Sequence, residues 1–170
     1  LRDPIQRALS RFSHNKRKVA SKIDLPFAQH LTFAQVAEIE LQLIDPERRY
    51  STIEISKLCS LFNPYGLTLG KGLYDLFIQD YGDDKNTHIL FLEDLESSFD
   101  SEFARLMKFL GINSYSVPDP RIHNRASEQP KKPHLIDASL EARLIAFYSS
   151  SVRRLNDHYA NTPASWSKYL

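Results

Sequence analysis

At 170 residues, with 42% hydrophobic and 25% charged side chains, the chain has the composition of one globular domain or a large part of one. A net charge of +1 gives no bulk argument for binding nucleic acid or a membrane surface, and no apolar run approaches the ~18 residues of a membrane span. Cys59 is the only cysteine and no Asn-x-Ser/Thr site occurs, which together favour a reducing, cytoplasmic compartment.

The charge is unevenly spread. Residues 1–22 carry seven basic side chains against Asp3 alone, a net +6, and residues 75–102 carry nine acidic ones against Lys85 alone, a net −8. The basic end suits an anionic ligand, although a solvated helix face has the same pattern.

In chain order, Leu1-Arg2-Asp3-Pro4 reads as the end of a strand turning into a helix, which suggests that an N-terminal part precedes this segment. Asp3 is placed to cap the helix, Pro4 fits its first position and Gln6 is spaced for a capping box. Ile5, Ala8, Leu9 and Phe12 predict a core-facing stripe, with Arg7, Ser10, Arg11 and His14 opposite. Residues 16–31 read as a loop. Thr32 opens a second helix with Phe33, Val36, Ala37 and Leu41 on one face, and Asp45-Pro46 ends it. Ile53, Ile55 and Leu58 suggest a short helix, residues 63–66 a turn, and Leu69, Leu73, Leu76, Phe77 and Tyr81 a further helical stripe.

The run His88-Ile-Leu-Phe-Leu92 reads as a buried strand of a parallel sheet. Phe99, Phe103, Leu106, Met107 and Leu110 then predict an amphipathic helix that stops at Gly111. Residues 113–136, rich in Pro, Ser, Asn and basic side chains, read as a long loop of the kind that often carries function. A last helix begins after Asp137 or Ser139 and buries Leu140, Leu144, Phe147, Tyr148, Leu155 and Tyr159.

The strongest chemical signal is the first ten residues. Arg2 precedes a helix N-terminus, where free N–H groups and the dipole attract anions, and arginine grips two phosphate oxygens at once. Ser10 adds one hydrogen bond from the polar side. Arg2-Asp3-Pro4-x-x-Arg7-Ala8-x-Ser10 resembles the 3'-phosphate-binding motif of sulfotransferases that use 3'-phosphoadenosine 5'-phosphosulfate (PAPS). The resemblance implies that Arg2 and Ser10 contact the 3'-phosphate, with Arg7 at a recurrent basic position. Leu90-Phe-Leu-Glu-Asp-Leu95 and Phe109-Leu-Gly-Ile112 resemble that family's strand–Glu-Asp-Leu segment and its later helix end, with Glu93 tying the sheet to a nearby helix. Arg125, Lys131 and Lys132 are similar to a late basic loop that closes over the nucleotide, and the turn at Tyr65-Gly66 resembles the layout of heparan-type, glycan-modifying members.

The implied fold is α/β, a P-loop NTPase-like sulfotransferase domain with a small parallel sheet flanked by helices. Residues 1–170 would be its C-terminal part, without the N-terminal phosphosulfate loop. The implied function is transfer of a sulfuryl group from PAPS, without a metal, to a hydroxyl- or amine-bearing acceptor such as a glycan or small molecule. The isolated segment is expected to be inactive, because neither the phosphosulfate loop nor a defensible catalytic base is found in it. A P-loop-type nucleotide kinase fragment and a non-catalytic helical binding module remain as alternatives; no Walker A motif supports the first.

Overall fold

The computed structural model describes residues 1–20, 31–48, 67–79, 86–116, 136–158 and 161–170, with residues 50, 51, 53, 54, 57, 58 and 81 between them. Every regular element among them is helical: α1 (Pro4–Ala20), α2 (Phe33–Leu43), a 3-10 turn (Gly70–Gly72), α3 (Tyr74–Ile78), α4 (Leu92–Ser97), α5 (Phe99–Phe109), α6 (Ala138–His158) and a second 3-10 turn (Ala164–Tyr169).

The helix signals in the sequence are realised at the level of single hydrogen bonds. Asp3 Oδ1 accepts the Gln6 N–H at 2.9 Å and starts α1. At α2, Thr32 Oγ1 accepts the Gln35 N–H at 3.2 Å while Gln35 Oε1 accepts the Thr32 N–H at 2.8 Å, a complete capping box. Asp137 Oδ1 accepts the Leu140 N–H at 2.8 Å and opens α6. α5 ends at Gly111, whose φ of 70° belongs to the left-handed region. Gly111 N–H donates to Lys108 O and Ile112 N–H to Met107 O, the paired bonds of a Schellman stop.

The parallel sheet expected from the sequence is not formed: no strand occurs among the described residues. Residues 88–91 are extended and Leu92 already belongs to α4. The physical reason is a lack of partners among the described residues. The Leu1 nitrogen donates to Leu90 O, and Leu92 N–H donates to Leu1 O at 2.7 Å. Those two bonds join one residue to the segment and build no ladder. Beyond it, Glu93 and Asp94 in the first turn of α4 favour a helix start. Only Phe91 of the run is buried. The resemblance therefore fails at the level of its implied fold.

Two boundaries also move. α1 runs on to Ala20, past the expected loop start at residue 16. The stripe of Leu69 to Tyr81 is split between the first 3-10 turn and the five-residue α3; Leu69, Leu73 and Leu76 are buried, whereas Phe77 and Tyr81 are exposed. Ile53 is 68% exposed. The expectations at Ile55, residues 63–66 and Tyr159 lie outside the described residues.

The core is shared by distant parts of the chain. Ile5, Ala8 and Phe12 of α1 meet Phe33, Val36 and Ala37 of α2, and Leu144, Tyr148, Val152 and Leu155 supply the buried face of α6. The C-terminal 3-10 turn closes it. Trp166 is fully buried, edge-on to Phe91 at 5.2 Å and stacked on Tyr74 at 6.1 Å.

Candidate functional site

The start of α1 is held from three directions. Asp3 N–H donates to Glu93 Oε1 at 2.7 Å, and the Tyr74 hydroxyl donates to Arg2 O at 2.6 Å. The Asp3 carboxylate, besides capping Gln6, accepts the Tyr169 hydroxyl at 3.1 Å and pairs with Lys168 Nζ at 3.0 Å. Burial pushes the Tyr74 phenol up to about 12, and burial together with the Asp3 charge raises Tyr169, so both remain hydroxyl donors at neutral pH. Glu93 thus ties α4 to the start of α1, the structural role expected of it, with a helix in place of a sheet.

This arrangement corrects one premise. The first-turn N–H groups of α1 are not open to an anion. Asp3 N–H goes to Glu93, Gln6 N–H to Asp3 and Pro4 has none, while the Ile5 N–H lies near enough to the Tyr169 hydroxyl to oppose the rise in its pKa. Two carboxylates already occupy the positive end of the dipole. Any phosphate at this end of the molecule is held by side chains.

Those side chains lie on one stripe. Arg7, Ser10, Arg11 and His14 follow helical spacing along α1, and residues three or four apart stand about 5–6 Å from each other. Ser10 is exposed and Arg2 half-buried; no described residue pairs with the Arg2 guanidinium or the Ser10 hydroxyl. Arg7 and Arg11 are half-buried as residues, yet Arg7 Nη1 and Arg11 Nε are fully buried and have no hydrogen-bond acceptor. Arg7 lies close enough to Tyr74 and Tyr148 that its charge opposes the rise in both phenol pKa values. A buried guanidinium N–H without an acceptor costs more than an ordinary neutral one, and Arg7 and Arg11 each carry one.

Of the residues singled out from the sequence, Arg2, Arg7 and Ser10 share the N-terminal half of α1 and the residue that leads into it. Arg125, Lys131 and Lys132 lie outside the described residues. Arg11 was read only as part of the polar face; its spacing from Arg7 was the available signal. Among the described residues no group of His, Cys, Asp and Glu is placed to hold a metal ion, and no helix is long and apolar enough to cross a membrane.

A second polar region lies on the far side of Glu93. A cleft of about 580 Å³ is lined by Thr87, His88, Asp94, Glu102 and Arg105 among others. An adjoining one of about 460 Å³ is lined by Glu93, Asp94, Glu96 and Ser97, with residues 163–165 opposite. Compared with models of known families, with characterised proteins and with solved structures, the chain finds no significant match.

Proposed function

We propose that this chain grips the 3'-phosphate of PAPS, or of its product 3'-phosphoadenosine 5'-phosphate, for a sulfotransferase reaction. The observation that carries the reading is the buried Nη1 of Arg7, an N–H without an acceptor one helical turn from the free hydroxyl of Ser10. Arg2 supplies a two-pronged, charged grip from the residue before the cap, Arg7 and Arg11 supply charge along the helix, and Ser10 supplies a neutral hydrogen bond. The Arg-Asp-Pro-x-x-Arg-Ala-x-Ser pattern supports the choice of ligand, because it spaces the outer two groups eight residues apart as the family motif does.

In such a reaction the sulfuryl group passes in line to a hydroxyl or amine of the acceptor, a glycan or a small molecule, while a general base removes the acceptor's proton. The side chains named here act on the nucleotide, not on the sulfuryl group. The single Cys59 supports a reducing, cytoplasmic setting.

Calorimetric titration with 3'-phosphoadenosine 5'-phosphate and with adenosine 5'-phosphate tests the reading. The two differ only in the 3'-phosphate. One charge-assisted contact predicts at least a tenfold preference for the first, and Ser10→Ala should remove a smaller part of it. Equal affinity for both ligands would defeat the reading. Binding of neither would favour a non-catalytic helical module.

A further inference from the structure

The two adjoining clefts share Asp94, Pro163 and Ala164 and so form one groove beside the extended segment 87–91. Its walls carry Glu93, Asp94, Glu96 and Glu102 against a single cation, Arg105, whose Nη1 is already engaged with Glu102 at 2.7 Å. Glu93 spends one oxygen on the Asp3 N–H, while its Oε2 is fully buried without a partner; on the other side of the groove His88 Nε2 is equally buried and equally unpartnered. Burial, and then the charges of Glu102 and Glu93, raise the Asp94 pKa, and the Arg105 charge opposes part of that rise.

The floor adds a second kind of recognition. Leu1 takes the hydrogen-bonding edge of this segment at Leu90 and Leu92. Ile89 and Phe91 line the groove, and their N–H groups have no acceptor among the described residues. An extended backbone alternates the direction of its N–H and C=O groups, so those of Ile89 and Phe91 point away from Leu1.

We infer that this groove binds an extended polypeptide segment bearing Lys or Arg at alternate positions. Its main chain pairs with Ile89 and Phe91, and its cations lie against Asp94 and Glu96. Charge complementarity selects a basic partner; the free edge selects a polypeptide over a compact amine. The inference does not depend on the nucleotide reading, since the groove lies across Glu93 from the α1 stripe.

The test is fluorescence anisotropy of the full 170-residue chain with a labelled Arg-Val-Lys-Val-Arg peptide. Its comparisons are the same peptide N-methylated at alternate residues, a Glu-Val-Glu-Val-Glu peptide, and spermidine as competitor. The expected result is saturable binding of the first peptide only. Asp94→Asn, on a partly exposed side chain, should weaken it about tenfold without changing the helical circular dichroism. The inference is overturned if the N-methylated peptide binds as well, if spermidine displaces the peptide at equal charge concentration, if Asp94→Asn has no effect, or if no peptide binds at millimolar concentration. A titration with 3'-phosphoadenosine 5'-phosphate run in parallel separates this failure from failure of the nucleotide reading.

Discussion

Glu40 shows how a single side chain holds segments that sequence alone does not connect. It is fully buried on α2, and its two oxygens accept the N–H groups of Thr68, Leu69 and Gly70 at 2.6, 2.8 and 3.1 Å. Burial raises its pKa and the three N–H donors oppose that rise. Glu40→Ala leaves three buried donors unpaired, each worth about 1–3 kcal/mol, and relieves the burial of one charge. The net loss should be about 3 kcal/mol, read from denaturant unfolding. The raised pKa fixes a sign. Between the ordinary glutamate value and the raised one, the folded chain holds a proton that the unfolded chain has released. Stability should therefore fall as pH rises through that window, and Glu40→Ala should lose this slope. The sequence gives no hint of this carboxylate's role, because its partners lie 28–30 residues away. Asp3, Thr32, Asp137 and Gly111 were legible because their partners lie within five residues.

At the scale of elements, two glycines act in opposite ways. A Cβ on Gly72 would come within 2.8 Å of Tyr148 Cε1, in a fully buried ring. Gly111 has open space around it but a φ of 70°. Gly72→Ala should cost about 1–3 kcal/mol through overpacking, and Gly111→Ala about 1 kcal/mol through backbone strain. Gly111→Asn should recover part of the second loss and Gly72→Asn none of the first; thermal melts of the four variants check the pattern. α1, α2, α5 and α6 were readable from apolar spacing and caps. The segment 88–92 was misread because a short apolar run has no period that separates a strand from other buried backbone. Its state depends on pairing partners, and among the described residues only Leu1 pairs with it. The terminal 3-10 turn went unread because six residues holding Trp166 and Tyr169 carry no periodic signal, although both side chains are buried in the core.

At the scale of the molecule, two sets of polar side chains can be followed from the Glu93–Asp3 link. Arg2, Arg7, Ser10 and Arg11 lie along α1, and Glu93, Asp94, Glu96 and Glu102 line the groove beyond it. The C-terminal Tyr169 and Lys168 lock the junction through Asp3. The helix start at Asp3 and the spacing of Arg7, Ser10 and Arg11 along it were legible in the sequence. The link from Asp3 to Glu93 was not, because the two residues lie 90 positions apart. The most direct measurement is therefore the 3'-phosphate selectivity of Arg2→Ala, taken as the calorimetric Kd ratio of adenosine 5'-phosphosulfate to PAPS. The account predicts that the variant binds PAPS about ten- to a hundredfold more weakly and adenosine 5'-phosphosulfate unchanged, so that the ratio collapses towards one. Equal weakening of both ligands, with the ratio preserved, would contradict it.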